Sequence, residues 1–245
     1  MASGDAFSMK VTAVIHLCFW LALPTLAAKP AAGFASVRPA DAPPPEAEEA
    51  AWIDLFAGND FSQWTREDGS EVSSTWLGGW RIEGGVVERH GLLAGDIVTK
   101  DAYRNFELEF EWRISRKGNS GVIYRRKGGK GLEYQILDDE RHSDGKVPSH
   151  QAASLYDLAA ASEDKPIHPA GSWNKGRIVI RGPIVEHWLN DERVLRIDMD
   201  SPEWARRVAA SKFGGRADFG QRGSPILLQD HLDTVWFRNV RIREL

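Results

Sequence analysis

Between Phe106 and Ile114 the chain alternates without a break. Phe106, Leu108, Phe110, Trp112 and Ile114 are apolar, and Glu107, Glu109, Glu111 and Arg113 stand between them. A period of two puts the apolar set on one face of a strand and the charged set on the other. The segment "WRIEGGVVER" (80–89) predicts a hairpin turning at Gly84-Gly85, and "IVEHWLNDERVLRI" (184–197) predicts a second one turning near Asn190-Asp191. Further strands are predicted at "NSGVIYRR", "GRIVIRG" and "DTVWFRNVRIREL". One strong helix is predicted, over 201–213. Ser201 can cap its N-terminus, Pro202 suits the first helical position, Glu203 adds favourable charge, and Gly214-Gly215 would end it. Many antiparallel strands with one short surface helix predict an all-β, two-sheet antiparallel jelly-roll sandwich. A strand with one charged face needs that face wet, and a sandwich bent around an open concave sheet supplies such a place.

The chain divides into three regions. Residues 1–35 read as a signal peptide region, with Lys10 before the apolar run "VTAVIHLCFWLAL" and small residues after it. A membrane anchor competes with this reading, but the run is short for a span and is broken by His16 and Pro24. Residues 36–50 are a Pro/Ala/Glu linker, and 51–245 form the domain. The expected location is therefore the periplasm or the outside of the cell. Removal of the signal also removes Cys18, the one cysteine, so export brings no disulfide. A net charge of −4 with dispersed Lys and Arg points to no nucleic-acid partner. The mature part contains no further membrane-span pattern. Ten tryptophans, more than a core of this size needs, turn attention to sugars.

The candidate chemistry starts at "LEYQILDDERH" (132–142), which begins as a strand and ends as a charged loop. On strand alternation Glu133 and Gln135 share a face, while Tyr134 and Ile136 enter the core. Asp138 follows at the strand end. A retaining glycosidase needs two carboxylates roughly 5–5.5 Å apart, yet the middle position here is an amide. Glu133 alone fits a solvated strand carboxylate equally well. In "LLQDH" (227–231), Gln229 and His231 share a face, and histidine is suited to proton transfer near neutrality. Asn119 and Gly121 open a strand on which Arg125 shares their alternation and could reach a substrate oxygen. His142 and His150 flank a polar loop and could ligate a metal with Asp138 or Asp139, although loop histidines are usually only exposed. His187 fits a satisfied inner-face histidine. No phosphate loop, dinucleotide fingerprint or Cys/His zinc spacing is present.

The ordered segments "WIDLFAGNDFSQW", "WRIEGGVV", "GDIVTKDAYRNFELEFEWRIS", "GNSGVIYR", "YQILDDERH", "SLYDL", "VEHWLN", "SPEW" and "LLQDH" resemble the 3-keto-disaccharide hydrolase family over nearly all of the domain. The resemblance implies a concanavalin A-like sandwich with a sugar site on the concave sheet, and cleavage of glycosides already oxidised at C3. Glucanases of that fold carry E-x-D-x-x-E where this chain has Glu133, Gln135 and Asp138. Two positions depart from the family: Leu232 stands where Gly is usual after the His, and Ser172 where Glu is frequent. A C3 ketone acidifies the C2 proton, so a base, an oxyanion donor and an acid for the leaving oxygen suffice. This reading makes Glu133 or His231 the base and the other the acid or a metal ligand. Asn119, Arg125, Gln135 and Gln229 would bind sugar oxygens. Tyr156 would be a wall or a proton donor, and Asp138 a metal ligand or a loop brace. No cofactor is demanded, though a divalent metal would fit the chemistry. The expected partner is an oxidised disaccharide or glycoside. A lectin-like binding module and an ordinary retaining glycosidase are the rival functions.

Overall fold

The computed structural model describes residues 50–127, 129–214, 216 and 218–245. The predicted signal region and all but the last residue of the linker lie outside the described residues. The first strands are β1 (Ile53–Asp54), β2 (Trp64–Arg66), β3 (Ser74–Thr75), β4 (Gly78–Glu83), β5 (Val86–Gly91), β6 (Ile97–Tyr103) and β7 (Phe106–Ile114). Then come β8 (Asn119–Lys127), β9 (Lys130–Leu137), β10 (Asn174–Arg181), β11 (Ile184–Leu189) and β12 (Glu192–Asp198). The helix α1 (Pro202–Ala210) precedes β13 (Ser224–Leu228) and β14 (Val235–Glu244). The strands make two antiparallel sheets. The larger runs β12-β11-β10-β7-β14-β5-β4-β3, with β1 added on β14, and the smaller runs β2-β6-β13-β8-β9. The molecule is thus the all-β two-sheet jelly-roll sandwich that its periodicity predicts.

Alternation on β7 and β9 builds the core. Phe106, Leu108, Phe110, Trp112 and Ile114 are buried from one sheet, and Val122, Tyr124, Leu132, Tyr134 and Ile136 from the other. Rings meet edge-on between the sheets, Phe106 with Tyr124 at 5.9 Å and Phe110 with Tyr134 at 5.2 Å, an arrangement favoured by the ring quadrupoles. His187 is fully buried here. Its Nε2 is 2.6 Å from the Tyr124 hydroxyl and its Nδ1 is 2.9 Å from the Ala153 carbonyl. The carbonyl can only accept, so Nδ1 carries the proton and Nε2 accepts from Tyr124. Burial lowers the His187 pKa to about 4 and keeps the ring neutral.

The charged face of β7 is laced rather than simply solvated. Arg238, Arg241 and Arg243 of β14 each donate Nε and Nη2 to one carboxylate, those of Glu111, Glu109 and Glu107 respectively. Both hairpins turn where predicted. Asn190 and Asp191 have φ of 49° and 69°, the pair of positive values that a tight hairpin turn needs. The helix begins as predicted, with the Ser201 hydroxyl accepting from the Trp204 amide, but stops at Ala210. Beyond it the backbone amides find other acceptors: Lys212 N–H donates to Asp157 Oδ2 at 2.8 Å and Phe213 N–H to the Ser211 hydroxyl. Those bonds end the helix before the glycines are reached.

Candidate functional site

Strand β9 lies between β8 and the irregular segment 153–156. Ala153 and Tyr156 donate their amides to the carbonyls of Gln135 and Glu133, and the Gln135 amide donates to Ser154. Register pairs Gly121 with Gln135 and Ile123 with Glu133. Tyr134 and Ile136 fill the core, so Glu133 and Gln135 project from the opposite face, as alternation predicts. Gly121 lies directly beneath the Glu133 side chain: a Cβ there would stand 2.5 Å from Glu133 Oε1. The glycine of "NSG" is therefore a seat for a carboxyl group.

Glu133 is 8% exposed, and no hydrogen bond joins its carboxylate to any described residue. Burial pushes its pKa up to about 7. The Lys212 ammonium pulls in the other direction, and the Asp96 carboxylate adds to the rise. Asp96 is itself raised, by burial first, and accepts the Asp230 amide at 2.7 Å. Around Glu133 stand three amide side chains with unused capacity. Both polar atoms of Gln135, Asn119 Oδ1 and Gln229 Oε1 are buried without a partner among the described residues. Neither end of the Gln135 amide is satisfied, so turning it over would change nothing. Each such group costs about 1–3 kcal/mol, and four together on one face mark a surface that a polar ligand would complete.

Gln229 enters this cluster because its amide donates to the Gly121 carbonyl at 2.9 Å. Four residues on, the Asp233 carboxylate accepts the Asn119 amide at 3.0 Å. The segment 229–233 is thereby held along Asn119–Gly121, and the exposed His231 sits between the two anchors. Asp230 secures it from behind. Its carboxylate pairs with buried Arg89 at 2.5 Å and accepts the amides of Gly95 and Leu232. Glu133 and His231, far apart in sequence, thus belong to neighbouring parts of one sheet face.

Tyr156 adjoins Glu133 through its backbone. Its ring stacks on His150 at 4.4 Å, and Lys212 Nζ lies 4.0 Å from its centroid. Its hydroxyl donates to Asp144 Oδ2 at 3.3 Å. Burial, then the Asp144 and Glu133 carboxylates, raise its pKa to about 12. These contacts make it a wall. Lys212 is the residue that sequence reading missed. It follows α1, where no motif marks it, and only the Lys212–Asp157 contact delivers it to this place.

Two predicted site residues lie apart from this cluster. Arg125 adopts a φ of 46° at an irregularity in β8, which turns its side chain out of the alternation of Asn119 and Gly121. Its guanidinium donates to the carbonyls of Arg104, Gly182 and Gly220 and to Asn105 Oδ1. It is buried and ties three loops together, leaving no group aimed at Glu133. Asp138 Oδ2 accepts the Lys117 amide at 2.7 Å, and its other oxygen faces Arg141 at 3.7 Å. Asp138 therefore braces its loop. His142 accepts the Asp144 amide as a local cap, and His150 lies between Asp144 and Asp157. Among the described residues no group of three or more His, Cys, Asp or Glu side chains is arranged to hold a metal ion. The predicted ligand set does not fit one.

Comparison with known proteins agrees with this frame. A curated 3-keto-disaccharide hydrolase from Bacteroides thetaiotaomicron is 33% identical over 236 residues, covering 79% of this chain and 78% of the relative. The crystal structure of a candidate glycosyl hydrolase from Parabacteroides distasonis superposes with a TM-score of 0.70 at 31% identity, over 79% of this chain and 94% of that one. A second such protein from the same organism gives 0.61 at 26%, over 80% of this chain and all of that one. The profile of the 3-keto-alpha-glucoside-1,2-lyase-like domain matches residues 51–243. With four-fifths of its length matched in one unbroken span, the chain belongs to the 3-keto-alpha-glucoside-1,2-lyase-like domain family.

Proposed function

We propose that this protein is an exported enzyme that cleaves 3-keto glycosides, with Glu133 as the base that removes the proton from C2. The carrying observation is the buried Glu133 carboxyl, seated on Gly121 without a hydrogen-bond partner, with its pKa raised to about 7. A base poised near the working pH combines an adequate ionised fraction with real proton affinity. A binding-only module has no use for an acid whose ionisation its surroundings oppose. The relative's name, a 3-keto-disaccharide hydrolase, supports the same substrate class. The export assignment rests on the charged start and apolar run of residues 9–35.

The steps balance as follows. Glu133 takes the C2 proton, and the electron pair moves into an enolate with charge on the C3 oxygen. The Gln135 amide and the Lys212 ammonium receive that charge, which is stabilisation of a developing oxyanion by fixed donors. The enolate re-forms its ketone and expels the C1 oxygen, leaving a C1–C2 double bond. His231 delivers a proton to the departing oxygen. Water then adds its hydroxyl to C1 and a proton to C2. The sum is one 3-keto glycoside and one water giving a 3-keto sugar and an alcohol. Asn119 and Gln229 accept from sugar hydroxyls through their unpartnered oxygens.

The test is to offer matched 3-keto and unoxidised disaccharides in deuterated water. The expected result is cleavage of the keto substrate alone, with solvent deuterium at C2 of the product. Equal cleavage of the unoxidised sugar, or a product protiated at C2, would end this reading.

A further inference from the structure

Beside this site the surface changes character. Trp76 is 91% exposed at the turn between β3 and β4, and Leu77, Leu92, Leu93 and Leu232 are exposed with it. Backbone contacts hold the five together. The Leu92 amide donates to the Leu77 carbonyl at 2.8 Å, and Gly78 pairs with Gly91. One nitrogen of Arg89 donates to the carbonyls of both Gly91 and Leu232, at 2.6 and 2.8 Å. Scattered apolar side chains are ordinary on a surface; several large ones on joined turns are not. Leu232 is also held at φ 72°, the left-handed region that a bulky side chain occupies only under strain. A glycine would relieve that strain, so the leucine is there for its side chain.

The rim is continuous with the catalytic cluster at two points. Leu232 directly follows His231. Leu92 and Leu93 lead through Gly95, whose amide is held by Asp230, into Asp96, the carboxylate that raises the pKa of Glu133. We infer that Trp76, Leu92, Leu93 and Leu232 form the subsite for the leaving group, and that its natural occupant is an apolar aglycone, an aryl or alkyl alcohol, rather than a second sugar. The inference rests on the proposed cleavage. The group that protonates the departing oxygen must stand beside it, so the residue next to His231 lines whatever departs. A sugar there would set its hydroxyls against leucine side chains and leave them without partners. An apolar ring or chain loses nothing and gains area.

The experiment compares kcat/KM for 3-keto glucosides of phenol and hexanol with that for the 3-keto disaccharide of two glucoses, in the parent and in Trp76→Ala and Leu232→Gly. The parent should favour the apolar leaving groups by tenfold or more, and each variant should lower that ratio about tenfold, from the area lost. Leu232→Gly should also raise Tm, which separates loss of preference from loss of fold. If the parent cleaves all three equally, or the ratio survives both variants, the subsite assignment fails and the proposed reaction stands. If no 3-keto glucoside is cleaved, both fail. If mass measurement by light scattering finds a dimer that Trp76→Ala dissociates, the rim is a self-association surface and the assignment is overturned.

Discussion

At Glu133, catalytic readiness and stability oppose each other. Its pKa rises from 4.5 to about 7 on folding because the carboxylate is taken out of water. Below about pH 4.5 the group is protonated in both states, and the folded protein is not penalised. Between pH 4.5 and 7 the unfolded chain releases a proton that the folded one retains, so stability falls as pH rises. Above about 7 the full cost of ionising in place remains, about 3 kcal/mol. Glu133→Gln keeps the shape and removes that cost. Urea denaturation should find it more stable than the parent by about 1–3 kcal/mol at pH 8 and no different at pH 4. Its kcat should fall about 10²–10⁴-fold. In the parent, kcat/KM should rise with pH through about 7 as the base ionises. A variant no more stable at pH 8 than at pH 4 would mean that Glu133 is not desolvated. Gln135 makes the same point in neutral form. Gln135→Leu removes two buried unsatisfied atoms, so Tm should rise while KM rises at least tenfold. A fall in Tm would show that the amide is already satisfied in the free protein.

At the scale of the element, β8 and the segment after β13 act as the frame for Glu133. The frame needs a missing side chain at Gly121, where a Cβ would fall 2.5 Å from Glu133 Oε1. Gly121→Ala should displace the carboxyl without unfolding the strand, because the obstructed atoms are the end of a flexible side chain. A displacement near 1 Å costs about a hundredfold in rate, so kcat should drop about that far while the melting curve stays cooperative. Unchanged kcat would separate Glu133 from the chemistry. The second part of the frame is the Arg89–Asp230 pair. Both side chains are nearly buried, and Asp230 also holds the amides of Gly95 and Leu232. Asp230→Asn leaves a buried guanidinium uncompensated, and equilibrium denaturation should show a loss of about 3–5 kcal/mol. A loss below about 1 kcal/mol would mean that water already reaches the pair.

On the scale of the molecule, the two sheets share one core, and the candidate site lies on the outward face of the smaller sheet. β1 joins β14, so the described region begins within the larger sheet. Residues 50–245 alone should therefore unfold in one cooperative transition, with the same midpoint by tryptophan fluorescence and far-ultraviolet circular dichroism. Two separate midpoints would show that the sheets do not depend on each other.

The strands, both hairpin turns, the start of the helix and the common face of Glu133 and Gln135 were legible in the amino-acid order. They follow from periods of two and from turn chemistry, which are local. The same locality explains Asn119 and Gln229, polar positions on alternating strands that lie side by side in the sheet. Arg125 eluded that logic because a backbone irregularity of one residue turns a side chain off its face, and the carbonyls that capture it come from three remote loops. Asp138 looked like a ligand in its motif, but the Lys117 amide across the loop had first claim on it. Lys212 carried no local signal at all. Its place beside Glu133 comes from a capping contact with Asp157, fifty-five residues away. The raised pKa of Glu133 has the same origin. A sequence names the acid, but its proton affinity is set by how much water the neighbours exclude and which charges they bring, and those neighbours meet only when the chain is folded.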